Sequence, residues 1–411
     1  MKASKVLSTI SRRDLFKLTG RYGISSVVMG AAAMTGAVSL PNIAKAAESE
    51  YDKRFANEPK HTLSLGAAGF NAQNLLIERA GVLAFARDLE ERTEGEIRVE
   101  FIGDNQICAQ TACAEKAQLG VIDMYSASTQ NSAGTTPYLN VLDYAYMFRT
   151  RADIYHFLYS PESMALLRDP LEERHGLKFL FSHAELRGLQ MGSSFADRPL
   201  VTSVTELAGT KNRVTGTQLG RIAMELMDLN PVPVAWEETL DGLRTGLIDG
   251  AETWASAVAY ANMAPAVTQS VDLGFFCGTE HTGMNAAKFD SLEANLQDAI
   301  MESAYLAQVY AQHANEAALV NTVGFTDPPM PGTIFAENGV RVAKMSDAAR
   351  REAEEMCSPE FQPAAWEDWR ERINGWAGGR DTYQEIYDSV RANNPHTLAE
   401  NVEPRRWWRS A

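Results

Sequence analysis

The 411-residue sequence predicts an α/β fold built from two lobes, and three observations lead to this prediction. Strand-like runs alternate with helical stretches from residue 61 to residue 245, which is typical of α/β proteins. About 365 residues follow an N-terminal export signal, which is enough chain for two domains. A helical pattern with an apolar stripe occupies residues 291–323. A helix of that length extends roughly 50 Å, so we expect it to cross between the lobes.

The predicted elements follow one another without a repeat, a low-complexity segment or a linker rich in Pro, Gly or Ser. The expected strands are short apolar runs at residues 61–66, 97–102, 121–126, 177–182, 213–215 and 233–235. The expected helices carry apolar residues at helical spacing and lie at residues 74–93, 109–119, 219–229, 239–245 and 291–323. The last of these has an irregular, Ala-rich stripe, which disfavours a coiled coil.

The N-terminus has the features of a cleaved signal peptide over residues 1–46. The pair Arg12-Arg13 precedes an uncharged stretch at residues 23–40 and an A-x-A sequence at residues 44–46. The residues around this pair match the twin-arginine export motif. An uncleaved membrane anchor is the alternative, but Gly, Ser and Thr dilute the apolar stretch. We therefore expect a mature protein in the periplasm, without a membrane-spanning segment.

The charge of the mature chain limits its partners. Removal of the signal takes seven basic residues and one acidic residue from totals of 38 and 53, and so leaves a net charge of −21. Such an acidic surface repels nucleic acid and anionic lipid, and we expect neither as a partner. An anionic ligand therefore requires a well-placed local cation.

Cys108 and Cys113 are close enough in sequence to form a disulfide across a loop-to-helix junction. Because the sequence contains two further cysteines, Cys277 and Cys357, it does not determine which cysteines pair in disulfides. The cysteines and the seven histidines lack the spacing of zinc or redox motifs. No metal and no cofactor are expected.

The common catalytic templates are missing from the sequence. It contains no G-x-S-x-G, H-E-x-x-H or phosphate-binding G-x-x-x-x-G-K-[ST] motif. The histidines are interpreted as structural or surface residues. We expect a protein that is not an enzyme. A periplasmic cofactor-dependent enzyme stays open as an alternative, because twin-arginine export often carries such proteins.

Three motifs follow one another in the second half of the chain. Residues 209–213 read G-T-K-N-R, residues 232–236 read V-P-V-A-W, and residues 243–252 read L-R-T-G-L-I-D-G-A-E. In this order they resemble the substrate-binding proteins of TRAP (tripartite ATP-independent periplasmic) transporters, the DctP-type family. Residues 118–124 and 138–148 are similar to earlier family motifs, although Ala145 stands where the family has proline.

The resemblance implies a two-lobed periplasmic binding protein, type II-like, with crossing strands and a long lobe-spanning helix. Lobe I is expected at residues 60–184 plus 272–315 and lobe II at residues 185–271 plus 316–400. Residues 401–411 form a C-terminal tail, either packed on a lobe or used in self-association.

The implied function is to capture a small organic acid and deliver it to the membrane subunits of a TRAP transporter. The alternative within this class is a ligand-sensing protein for a signalling receptor. We expect a monomer, with a dimer left open.

The resemblance also implies ligand-binding residues. Arg213 matches the arginine that binds the ligand carboxylate, and a guanidinium suits that role because it offers a planar, permanently charged fork. Arg187 aligns with a second arginine, although an insertion follows it, and Trp236 is expected to form an apolar wall. For each of these, a structural ion pair or a core position is the alternative. The remaining candidates match pocket loops or depart from the sialic-acid-binding branch, and they are Asn71, Ser128, Thr253, Trp254 and Glu280.

Overall fold

The computed structural model describes residue 55 and residues 58–69 and 80–409. The predicted signal peptide at residues 1–46 and the candidate Asn71 lie outside the described residues. Within them, the first part of the chain alternates strands and helices up to a long strand. These elements are β1 (His61–Ala67), α1 (Val82–Arg92), β2 (Ile97–Ile102), α2 (Cys113–Gln118), β3 (Met124–Ser128), α3 (Thr129–Ser132), α4 (Arg151–Tyr159), α5 (Asp169–His175) and β4 (Leu177–Met191).

The middle part of the chain ends in a second long strand. It contains β5 (Lys211–Val214), α6 (Gln218–Leu226), β6 (Asn230–Pro233), α7 (Thr239–Thr245), β7 (Gly250–Thr253), α8 (Ala255–Tyr260) and β8 (Gln269–Asn285). The last part is mainly helical and contains α9 (Ala286–Asp290), α10 (Ala294–Ala318), α11 (Ile334–Glu337), β9 (Arg341–Lys344), α12 (Asp347–Cys357), α13 (Pro363–Trp376) and α14 (Thr382–Arg391). In the described part of the chain, no helix combines the length and the apolar character that crossing a membrane requires.

The nine strands form one mixed sheet in the order β2-β1-β3-β8-β4-β7-β5-β6, with β9 beside β8. β1 pairs in parallel with β2 and β3, and β5 pairs in parallel with β6 and β7. β4 and β8 are antiparallel, and they join the two groups of parallel strands. They are the crossing strands that connect the two lobes.

The pairing of the crossing strands is irregular in the middle. Arg187 pairs with Phe276, but Leu189 pairs with Val271, so β8 bulges between these positions. A Cβ atom on Gly188 would lie 2.1 Å from the carbonyl oxygen of Val271, so only glycine allows the strands to approach there. A bulge bends and twists a strand locally, and here it lies between the two halves of the sheet.

The long helix α10 packs along α1 and β4. It continues as a π-helical turn over Leu319–Val323 and ends at Gly324, whose φ of 83° is in the left-handed region that favours glycine. Gln308 fixes the helix to β4, since its Oε1 accepts the N–H of Ser182 at 3.0 Å. The predicted helix at residues 291–323 is therefore confirmed to within a few residues.

Local patterns predicted some element bounds well and others poorly. The strand at residues 97–102 and the helix at residues 239–245 are confirmed. The strand expected at residues 177–182 was too short, because β4 continues to Met191. The strand predicted at residues 121–126 begins at Met124, and the helix predicted from residue 109 begins at Cys113. We did not predict β8, because its run of buried polar residues lacks the alternation of a half-buried strand.

Two features that the sequence left open are resolved. Cys108 and Cys113 form a disulfide, and Cys277 and Cys357 are buried thiols. The C-terminal tail packs on α10, where Trp407 is buried against Tyr305 and Arg406 forms an ion pair with Glu302 at 2.9 Å. Residues 401–409 of the predicted tail therefore pack on the body of the protein.

Candidate functional site

The structure brings seven of the eight predicted site residues to one region, where β3, β5 and β7 end beside the crossing strands. All seven side chains are buried. They come from both halves of the sheet and are Ser128, Arg187, Arg213, Trp236, Thr253, Trp254 and Glu280. In open α/β sheets, ligands bind at the carboxyl ends of parallel strands, which is where β3, β5 and β7 place this group.

Arg213, on β5, donates only to neutral oxygens. Its Nε donates to the carbonyl oxygen of Val234 at 3.1 Å, Nη1 to that of Glu252 at 3.4 Å, and Nη2 to Oδ1 of Asn131 at 3.4 Å. Burial lowers its pKa to about 10, so the guanidinium stays charged at neutral pH. Among the described residues, no carboxylate forms an ion pair with Arg213.

Arg187, on β4, is instead bound to a carboxylate. Its Nη2 lies 3.0 Å from Oε2 of Glu252, and its Nε donates to the other oxygen of the same carboxylate. Both side chains are almost completely buried. Nη1 of Arg187 has no hydrogen-bond partner among the described residues. Arg187 is therefore part of a structural ion pair that leaves one N–H group available to the site.

A tryptophan lies beside each arginine. The guanidinium carbon of Arg213 is 5.3 Å from the ring centre of Trp236, and that of Arg187 is 4.7 Å from the ring centre of Trp254. Trp254 also packs edge-on against His183, while its Nε1 has no hydrogen-bond partner within the described part of the chain. Thr253 precedes it, and its carbonyl oxygen accepts from Gln190 at 3.4 Å. Both tryptophans therefore form walls of the site.

The opposite wall contains Ser128 and Glu280, which are paired neighbours on β3 and β8. Gln110 connects them: its Nε2 donates to Oε1 of Glu280 at 3.3 Å, and its Oε1 accepts the N–H of Ser128 at 2.8 Å. The Ser128 hydroxyl has no partner in the described ranges. Sequence reasoning missed Gln110, and its position between Cys108 and Cys113 was the only local signal. His281 points elsewhere, with its Nε2 2.7 Å from the hydroxyl of Tyr125.

Two further contacts join the halves of the sheet across the site. Thr215 Oγ1 donates to Gln130 Oε1 at 3.4 Å, and Thr217 Oγ1 donates to Asn140 Oδ1 at 3.0 Å. Together with the Arg213–Asn131 contact, they hold the loop after β5 against α3 and the segment that follows it. The site is therefore enclosed from both sides.

Asp143 lies behind these contacts. Burial raises the pKa of its carboxyl to about 7, and the charge of Arg187 opposes part of that rise. Gln130 and Thr217 lie close enough to favour the ionised form, although neither oxygen of Asp143 has a partner at ordinary hydrogen-bond length among the described residues. Glu252 and the buried thiol of Cys277 also face this carboxyl. Asp143 is thus a protonatable group at the Arg187 end of the site.

Metal binding has no support in the described ranges, where no three His, Cys, Asp or Glu side chains are grouped as ligands. The arrangement offers two guanidinium groups, a carboxylate paired with Arg187, aromatic walls, and polar atoms such as the Ser128 hydroxyl that have no hydrogen-bond partner among the described residues. Its chemistry is that of recognising an anion with polar substituents.

Comparisons with known proteins identify the family of the chain. Residues 70–364 match the family model DctP, bacterial extracellular solute-binding protein, family 7. The 2,3-diketo-L-gulonate-binding periplasmic protein YiaO of Escherichia coli is 29% identical over 228 residues, which are 54% of this chain and 66% of the relative.

Solved structures show the same fold. A TRAP periplasmic solute-binding protein of Roseobacter denitrificans with bound L-galactonate superposes with a TM-score of 0.63 at 20% identity, over 78% of this chain and 99% of that one. One from Sulfitobacter with bound β-D-galacturonate gives a TM-score of 0.62 at 17% identity, over 81% of this chain and 100% of that one. At these identities the superpositions establish the two-lobed fold.

Proposed function

The chain belongs to family 7 of the bacterial extracellular solute-binding proteins, and from this premise we propose that it captures a small organic acid for the membrane subunits of a TRAP transporter. The observation that carries the proposal is the environment of Arg213. Arg187, Arg213 and Glu252 together carry one positive charge more than negative charge, and Arg213 is the guanidinium without a carboxylate partner among the described residues.

A buried, uncompensated charge costs several kcal/mol, and a ligand carboxylate offsets that cost. The guanidinium fork of Arg213 is suited to hold both carboxylate oxygens at once. Nη1 of Arg187 and the walls of Trp236 and Trp254 then contact the rest of the ligand. Thr253 contributes to the same wall.

We infer that the ligand is a hydroxylated monocarboxylic acid of the sugar-acid class. The relatives named above bind 2,3-diketo-L-gulonate, L-galactonate and β-D-galacturonate. Ser128 and Glu280 on the opposite wall provide the polar atoms that bind ligand hydroxyl groups. Asn71, outside the described residues, stays a predicted contact.

The two lobes supply different parts of this site, so ligand binding favours their closed arrangement, and the transporter distinguishes the closed form from the open one. The lobe bounds predicted above, export by the twin-arginine route and action in the periplasm are parts of the same proposal. No chemical step is assigned to the site. A periplasmic enzyme is the rival, and it is favoured if the purified protein carries a coloured cofactor or converts a substrate.

The test is a thermal-shift screen of the mature protein against L-galactonate, D-galacturonate, D-gluconate, lactate and succinate. A ligand at 100 times its dissociation constant stabilises a protein by about 2.7 kcal/mol. If no acid in the panel raises the melting temperature, the proposal is wrong.

Arg213→Ala then tests the carboxylate contact. Removing one partner of a buried charge pair costs about 2–5 kcal/mol, so we expect the affinity measured by calorimetry to fall by at least about 30-fold. Arg221→Ala is the matched control, because Arg221 is exposed and, among the described residues, pairs only with Glu225 on the same helix. Circular dichroism establishes that both variants fold. Retained affinity in Arg213→Ala removes the role assigned to Arg213.

A further inference from the structure

A disulfide-closed loop lies directly beside the site. The Cys108–Cys113 bond closes a loop of six residues, and Gln110 lies inside it. The loop is seated against β1 at Gly66, where an added Cβ atom would lie 3.2 Å from Sγ of Cys108 and 3.0 Å from Ile107. On the other side, the ammonium group of Lys116 donates to the carbonyl oxygen of Ile107. The N-terminal end of the loop is therefore held against the body of the protein, and its other end, Cys113, is the first residue of α2.

The Gln110 side chain, which is 1% exposed, makes three hydrogen bonds to three different segments. Its Nε2 donates to the carbonyl oxygen of Ala68 at 2.8 Å and to Glu280 at 3.3 Å, and its Oε1 accepts the N–H of Ser128 at 2.8 Å. These partners follow β1, end β3 and lie within β8. One amide thus fixes the relative positions of the three segments that form the wall opposite Arg213.

Gln110 also lies where the second half of the sheet contacts the first. Gly69 has a φ of 80°, and an added Cβ atom would lie 3.5 Å from Nε2 of Gln110 and 3.6 Å from Nε1 of Trp236. The N–H of Gly69 donates to Oδ1 of Asn105 at 2.7 Å, which fixes the backbone at this point. The side chains of Gln110 and Trp236 therefore both lie close to Gly69.

We propose that Gln110 is a positioning residue for ligand recognition, and that the Cys108–Cys113 disulfide holds it in place. Gln110 orients Ser128 and Glu280 towards the ligand hydroxyl groups, while Arg213 binds the ligand carboxylate. Opening the loop gives its backbone more conformations, so the Gln110 amide meets its three partners less often. This inference rests on the function proposed above and adds that recognition of the polar part of the ligand depends on the disulfide.

Three variants separate the steps of this argument. Gln110→Ala removes all three hydrogen bonds. Gln110→Glu keeps an acceptor for the N–H of Ser128 but replaces the donor facing Glu280 with a second carboxylate. Cys108→Ser combined with Cys113→Ser opens the loop without changing Gln110. Gln118→Ala is the matched control, because Gln118 ends the helix that follows the loop and, among the described residues, its side chain makes no hydrogen bond to the site.

The first readout needs no ligand. Hydrogen exchange of the Ser128 amide is expected to accelerate in Gln110→Ala and in the double serine variant, and to stay slow in Gln110→Glu. The second readout is affinity for the hydroxylated acid of the panel that shifts the wild-type protein most. We expect at least a tenfold loss in Gln110→Ala, Gln110→Glu and the double serine variant, and a change below twofold in Gln118→Ala.

The outcomes distinguish the two proposals. If no acid stabilises the wild-type protein, the proposed function fails and this inference fails with it. If the wild type binds an acid, and Gln110→Ala and the double serine variant bind it within twofold of the wild type, Gln110 has no positioning role. Unchanged exchange at Ser128 in Gln110→Ala overturns the inference as well. If Gln110→Ala loses affinity but keeps a melting temperature near that of the wild type, the positioning role is supported. A purely structural role of Gln110 would lower the affinity and the melting temperature together.

Discussion

The two ends of the site are built around similar parts and yet differ in charge. At each end a buried arginine lies beside a tryptophan, Arg187 with Trp254 and Arg213 with Trp236. Arg187 is bound by the carboxylate of Glu252, whereas among the described residues Arg213 donates only to neutral oxygens. The charge of the first arginine is thus paired, while that of the second has no carboxylate partner in the described part of the chain.

Under the proposed function, this difference separates an arginine that supports the fold from an arginine that binds the ligand. Glu252 contributes to both ends, because its carboxylate binds Arg187 and its carbonyl oxygen accepts from Arg213 at 3.4 Å. One residue on β7 therefore sets the distance between the two guanidinium groups. The following variants test that division, beginning with the largest expected effect.

Glu252→Ala leaves Arg187 buried without its carboxylate. Breaking a buried ion pair in this way costs about 3–5 kcal/mol, and we expect that loss in the free energy of unfolding measured with urea. Glu225→Ala is the control, since it removes an exposed partner of Arg221 and should cost less than about 1 kcal/mol. If Glu252→Ala is as stable as the control, the Arg187 end is not the structural one.

The pH dependence of the free energy of unfolding tests the role of Asp143, which lies at the Arg187 end of the site. Burial raises its pKa from 3.8 to about 7, so between these values the folded protein keeps a proton that the unfolded chain has lost. The stability that this proton provides is complete below about pH 4 and falls as the pH rises towards 7, by about 1.4 kcal/mol for each pH unit.

The comparison is made with Asp143→Asn, which mimics the neutral acid at every pH. From pH 5 to pH 7, the free energy of unfolding of the wild type should decrease by about 2 kcal/mol more than that of the variant. Parallel pH profiles for the two proteins would mean that Asp143 is already ionised at pH 5.

Replacing the tryptophans with phenylalanine is expected to have the smallest effects on affinity and stability. A desolvated cation–aromatic contact contributes about 2 kcal/mol, and phenylalanine, a weaker partner than tryptophan, keeps part of that contribution. We expect Trp236→Phe to lower ligand affinity by about two- to fivefold, and Trp254→Phe to lower mainly the free energy of unfolding. Calorimetry measures the ligand affinity of both variants, and urea unfolding measures their free energies of unfolding. If Trp254→Phe mainly lowers affinity and Trp236→Phe mainly lowers the free energy of unfolding, the roles assigned to the two ends are reversed.

Much of the fold was predictable because its signals are local. Helical spacing identified the helix that ends at Gly324, and the motifs from residue 209 to residue 252 placed Arg213 on a strand. The strand β8 was not predictable in this way. It carries buried polar residues such as Gln269, Thr279 and Glu280, whose partners lie in distant parts of the chain, so its sequence lacks the alternation of a half-buried strand.

By itself, the sequence determined the α/β class, the long helix and the family resemblance, and it singled out Arg213 as a candidate, because each depends on residues that are close together in the chain. Only the tertiary structure decided which charges are compensated. Arg187 meets Glu252 across 65 residues, and Gln110 meets Glu280 across 170 residues. Such contacts depend on the order and register of the strands, which bring together side chains that no local pattern connects.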